Sequence, residues 1–203
     1  MRGMNRPPGA AGRCHLYVFP FTWEDYGKLG FSRDPLARLQ ALHHRWYDCF
    51  DLDRGALVAT ETERDARDLE LRLRHALRVY NAPAPLTIRP QGAGHTEWYR
   101  GAEAALMAEV EALRREGYVV HAPLRPWLRQ ALVARGELLY DWTLAQLPLG
   151  AWRDFDPDDA AQVLVRDVLD GYRALDIPLA PLLAPEVLAW HGRCDRVAHG
   201  DRR

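Results

Sequence analysis

Residues 16–42 read LYVFPFTWEDYGKLGFSRDPLARLQAL, and the fold is decided here. Residues 14–19 (CHLYVF) place apolar and aromatic side chains on both faces of a strand that stops at Pro20. WEDYG at 23–27 is turn-like, and KLGFS at 28–32 returns as a second strand, giving a hairpin over 14–32. Period-2 alternation puts Tyr17 and Phe19 on one face, opposite Leu16 and Val18, and puts Lys28 with Gly30. If the faces match, a tyrosine, a lysine and a bare glycine backbone look the same way, and the glycine leaves room for a substrate to approach. Asp34 and Pro35 then supply an N-cap and a first-turn proline. The helix they start is expected to run to about Trp46, burying Leu39, Leu42 and Trp46. Arg38 sits in its first turn, where free N–H groups and the positive dipole end favour an anion. His43 and His44 come one turn later. His43 is a candidate for substrate contact, although one partly buried and one exposed ring is the simpler expectation.

Working outward, GALVAT at 55–60 reads as a third strand. Thr62 caps a helix expected over 63–79, with an apolar stripe at Ala66, Leu69, Leu73, Ala76, Leu77 and Tyr80. Glu70 lies beside that stripe, and its spacing to Arg74 and Arg67 suits a solvated charge pair. Residues 81–94 are a Pro/Gly-rich loop, TEWY at 96–99 a short strand, and 102–117 a helix. The order β-β-α-β-α-β-α describes a compact α+β unit with a small sheet and flanking helices. From residue 118 onward the expectation is all-helical, with helices at 124–135, 137–147 and 158–175, and a final short one after Pro185. Asp156 is the expected cap of the third, with Pro157 at its first position. Trp127, Trp142, Trp152 and Trp190 are read as core aromatics of this extension. The expected organisation is a disordered leader at 1–13, a first domain at 14–117 and a helical domain at 118–203.

Hydrophobic residues at 48% and charged residues at 27% are ordinary for a globular chain. No apolar run approaches the ~20 residues needed to span a bilayer, and the leader lacks the apolar core of a secretory signal. A cytoplasmic protein without a membrane partner is expected. Three cysteines, an odd and small number, suit free buried thiols. His191 and Cys194 form an HxxC pair, but no second pair sits at zinc-ligand spacing. Residues 1–101 carry a balance of +3 and residues 102–203 a balance of −4. That asymmetry is compatible with nucleic acid without requiring it. Sharper is the basic inventory: of 27 basic residues, 26 are arginine, and Lys28 is the only lysine. A compact ammonium with a tunable pKa is something guanidinium cannot supply.

LYV at 16–18, KLG at 28–30, Arg38 ten residues after Lys28, DPLARL at 34–39, DLELRLRHAL at 68–77 and GHTEWY at 94–99 together form an ordered set. In this set the first hundred residues resemble the GIY-YIG endonuclease superfamily, in its short phage-type branch where the second motif reads KIG. The resemblance covers residues 14–117 or so. The first-motif glycine corresponds to His15 and the second-motif tyrosine to Lys28. The position four residues after the family glutamate is Arg74, with His75 next to it.

The resemblance implies metal-dependent, one-metal hydrolysis of phosphodiester bonds in DNA. Glu70 would hold a single Mg²⁺ or Mn²⁺, Tyr17 would act as general base, and Lys28 would be the cation that makes a phenol usable as a base. Arg38 would neutralise charge developing on the phosphate, and Gly30 and His43 would lie against the substrate. Outside the resemblance, the helical half is a candidate surface for a homodimer or a protein partner. Two other readings stay open: a catalytically weak or inactive GIY-YIG-like domain that binds DNA or a protein, and an unrelated α+β binding domain.

Overall fold

A computed structural model describes residues 14–88, 97–146 and 155–200. The leader at 1–13, residues 89–94 of the expected loop, Thr96 and Trp152 lie outside the described residues. The chain divides into two compact units, at residues 1–127 and 128–203.

The hairpin forms from β1 (Cys14–Pro20) and β2 (Tyr26–Ser32), which begins two residues before Lys28. Its antiparallel register sets Tyr17 opposite Gly30 and Phe19 opposite Lys28. β3 (Ala56–Thr60) pairs with the other side of β1, and β5 (Trp98–Arg100) with β2. Two-residue strands close the edges: β4 (Asn81–Ala82) beside β5, and β6 (Val120–His121) beside β3. The sheet of the described residues runs β4-β5-β2-β1-β3-β6 with every neighbouring pair antiparallel, an α+β architecture. β6 corrects the all-helical expectation for residues after 117. Val120 and His121 supply the backbone partners that Val58 and Leu57 would otherwise lack at an edge.

The helices obey their caps more than their periodicity. In α1 (Pro35–Leu42) Asp34 accepts a hydrogen bond from the Ala37 amide at 3.0 Å. It stops at Leu42 instead of reaching Trp46, because His43 is extended (φ −152°, ψ 136°) and its Nδ1 accepts the Arg45 amide at 3.1 Å. Trp46 then opens a separate turn, α2 (Trp46–Cys49). α3 (Glu63–Ala76) starts on a reciprocal Thr62–Asp65 capping box and gives way to a 3₁₀ turn at Arg78–Tyr80. α4 (Glu103–Arg115) follows β5. Leu69, Leu73 and Leu77 of the α3 segment and Leu106, Val110 and Leu113 of α4 pack on the sheet face bearing Leu16, Val18, Leu29 and Val58. Ala76 and Tyr80, read as members of that stripe, lie at the surface where the helix ends. On the opposite face Tyr17 stacks on Phe19 at 4.2 Å, and Phe19, Phe50, Phe21 and Trp98 continue the aromatic layer.

α5 (Arg125–Val133) leads into the second unit, which comprises α6 (Leu139–Gln146), α7 (Ala160–Ala174) and α8 (Pro185–Gly200), the last much longer than expected. α7 is capped by Asp159, which accepts from the Ala161 and Gln162 amides, and not by Asp156. Trp190 is fully buried, while Trp127 and Trp142 are only half-buried, so they are weaker core residues than their type suggested. Asp170 and His191 form a buried pair at 2.9 Å between α7 and α8. Cys14, Cys49 and Cys194 are buried thiols outside any disulfide among the described residues. Among the described residues no helix is long and apolar enough to cross a membrane.

Candidate active site

Tyr17 is held by β1 in the centre of the sheet and is 2% exposed. A β-carbon built on Gly30 would lie 2.6 Å from the Tyr17 Cζ and collide with the phenol oxygen as well. The bare glycine therefore makes room for the Tyr17 ring lying across it. This corrects the expectation that the space is left for substrate. The two motifs are joined physically: the second strand needs glycine because the first carries tyrosine.

The cation beside that phenol is also not the expected one. Arg38, half-buried in the first turn of α1, donates from Nε to the Tyr17 phenol oxygen at 3.2 Å. Burial pushes the Tyr17 pKa up, the Arg38 charge and hydrogen bond oppose that rise, and Glu70 and Glu97 reinforce it. Lys28 is turned to another partner. It is 1% exposed, its Nζ donates to Glu97 Oε2 at 2.9 Å, and it lies 5.1 Å from the centre of the Trp98 ring. Burial depresses the Lys28 pKa, the Glu97 carboxylate lifts it, Arg38 depresses it further and Glu70 opposes that.

Glu70 departs most from its solvated reading. It is 8% exposed, and its carboxylate makes no hydrogen bond or ion pair with the described residues. Its helix neighbours are engaged elsewhere, Arg67 3.8 Å from Glu63 and Arg74 3.7 Å from Glu97. Burial raises the Glu70 pKa and the nearby negative Glu97 adds to the rise, against the opposing charges of Arg74, Lys28 and Arg67. A desolvated carboxylate beside a second carboxylate suits a bound cation, which would relieve both penalties. Mg²⁺ is commonly held by one or two protein carboxylates, with waters and substrate phosphate completing its shell. The residues present would suit such an ion, and Glu70 is the residue that would hold it.

Four elements thus contribute to one electrostatic cluster: Tyr17 from β1, Lys28 from β2, Arg38 from α1 and Glu70 from α3. His43 has its contacts with its chain neighbours and in a separate cleft. Its ring stacks on His44 at 4.6 Å, it accepts the Arg45 amide, and it lines a cleft with Phe21, Trp23 and Thr87. Sequence reasoning assigned no role to Glu97, which touches both Lys28 and Arg74. The signal available was the need of the TEWY strand for a partner. Pairing it with the second hairpin strand sets Trp98 opposite Lys28 and brings the preceding carboxylate within reach.

His15 is 5% exposed, with both ring nitrogens buried and lacking a hydrogen-bond partner among the described residues. It packs edge-on against Trp127 at 5.5 Å and lies 6.4 Å from His121. Compared with protein-family models, curated proteins and solved structures, the chain matches none.

Proposed function

We propose that the chain is a metal-dependent endonuclease of GIY-YIG type that hydrolyses phosphodiester bonds in DNA. The observation that carries this reading is the desolvated Glu70 carboxylate, without a hydrogen bond or ion pair among the described residues, whose charge acts on the arginine-bound Tyr17 phenol. A bound Mg²⁺ or Mn²⁺ would supply Lewis-acid polarisation of a non-bridging phosphate oxygen and ease departure of the 3′ oxygen. Tyr17, as phenoxide, takes the proton of the attacking water as the new P–O bond forms and the bond to the 3′ oxygen breaks. Arg38 donates to the phenol oxygen and so favours the phenoxide against the cost of burial. Its guanidinium has donors to spare for a phosphate oxygen. Lys28 is held in place by Glu97.

A DNA-binding module without cleavage is the second reading. It is favoured by the near-complete closure of Tyr17 and Lys28 from solvent. Nicking of supercoiled plasmid in Mg²⁺ and in Mn²⁺ separates the two. The nuclease reading expects relaxed circles from the wild type and none from Glu70→Ala. Retained DNA binding without nicking by either protein selects the module.

A further inference from the structure

We propose that Glu97 is a positioning residue of this site: its carboxylate fixes the place and the charge of Lys28 and ties α3 to the sheet through Arg74. This rests on the nuclease reading for its kinetic consequences and on geometry alone for the rest.

Glu97 precedes β5, and its carbonyl accepts the Leu29 amide at 3.1 Å, so its backbone is fixed against β2. From that anchor one carboxylate oxygen takes Lys28 Nζ at 2.9 Å and the other lies 3.7 Å from Arg74 Nη1. Glu97 is 18% exposed and Lys28 1%, so the pair is screened by little water. An ammonium in such a place is held either by a carboxylate or by losing its proton. Trp98, opposite Lys28 in the register and fully buried, adds a ring face to the same ammonium. The other charges acting on Lys28 are Arg38, which disfavours its proton, and Glu70, which favours it. Glu97 is the acidic group among the described residues whose hydrogen bond with Lys28 is direct. Arg74, four residues after Glu70 on α3, is drawn to Glu97, which keeps it from neutralising Glu70 by a direct ion pair. Glu97 thus does two things at once. It keeps the strand lysine cationic, and it occupies the arginine that would otherwise close the metal-holding carboxylate.

Because Lys28 is the only lysine, the full chain labelled with ¹³C,¹⁵N-lysine gives one lysine side-chain signal to follow. In Glu97→Gln that signal is expected to titrate lower by about one pH unit or more, with Glu97→Asp between the two. In DNA cleavage, Glu97→Gln is expected to lower kcat by roughly ten- to a hundredfold with KM within about threefold, and Glu97→Asp to recover part of the loss. Thermal melts show whether each variant is folded. A Lys28 titration unchanged in a folded Glu97→Gln protein overturns the proposal, as does wild-type kcat in that variant. A wild type that cleaves no DNA defeats the nuclease reading instead, and the Lys28 titration then decides the role of Glu97 alone.

Discussion

Arg38 Nε donates to the Tyr17 phenol oxygen at 3.2 Å, so the cation at the phenol comes from the helix and not from the strand lysine. The consequence is directional. Removing Arg38 removes the charge and the hydrogen bond that oppose the rise in the Tyr17 pKa caused by burial. A rate that depends on the phenoxide rises with pH. In Arg38→Ala that rising limb is expected at higher pH than in the wild type, with kcat at pH 7.5 down by roughly a hundredfold or more. Arg38→Lys recovers little, since an ammonium cannot reproduce the planar fork. A pH–rate profile of the three proteins checks this.

The dependence of Gly30 on Tyr17 is testable by stability alone. Gly30→Ala forces a methyl group into the phenol ring and is expected to cost about 1–3 kcal/mol. In a Tyr17→Ala background the same change meets open space and costs well under half as much. Urea unfolding of the four proteins gives the coupling energy directly. Equal costs in both backgrounds would mean that the ring does not lie across the glycine.

His15 makes the fold sensitive to acid. Burial, helped by the neighbouring His121, lowers its pKa to about 4 from 6.5. Between those values the unfolded chain binds a proton that the folded chain refuses, so stability is full above about 6.5 and is lost as pH falls towards 4. The contribution at stake is about 3 kcal/mol. His15→Phe keeps an aromatic ring against Trp127 without the titration. It is expected to flatten the pH dependence of urea unfolding over that window relative to the wild type.

Glu70 exemplifies a trade between site and stability. Its raised pKa means that the ionised form is disfavoured in the fold, so the penalty is full above that raised pKa, fades as pH falls from it towards the ordinary carboxylate range, and is gone below that range. Glu70→Gln is expected to raise the melting temperature at pH 7.5 by roughly 2–4 °C. Millimolar Mn²⁺ is expected to raise that of the wild type and to leave the variant unchanged. Differential scanning calorimetry with and without the ion reads both effects.

The hairpin, its face parity and the two N-caps were legible because each depends on a few adjacent residues with one dominant physical preference. Tyr17 with Phe19, Asp34 with Pro35, and Thr62 with Asp65 are of that kind. What was not legible depends on distant partners. The break at His43 comes from a side-chain nitrogen capturing a backbone amide, which no periodicity announces. Two-residue edge strands are too short to alternate, so β4 and β6 were invisible. Glu70 beside Arg74 looked like a surface pair because spacing cannot show that a residue from another strand, Glu97, competes for that arginine. The purpose of Gly30 was misread for the same reason: its occupant, Tyr17, is thirteen residues away in sequence and directly opposite in the sheet.

The most direct measurement is single-turnover cleavage of an end-labelled DNA duplex in Mn²⁺ by the wild type, Tyr17→Phe and Glu70→Gln, each shown by melting to be folded. The account predicts that the wild type cleaves and that each substitution lowers the rate by at least about a hundredfold. Cleavage at the wild-type rate by folded Tyr17→Phe and Glu70→Gln would contradict it.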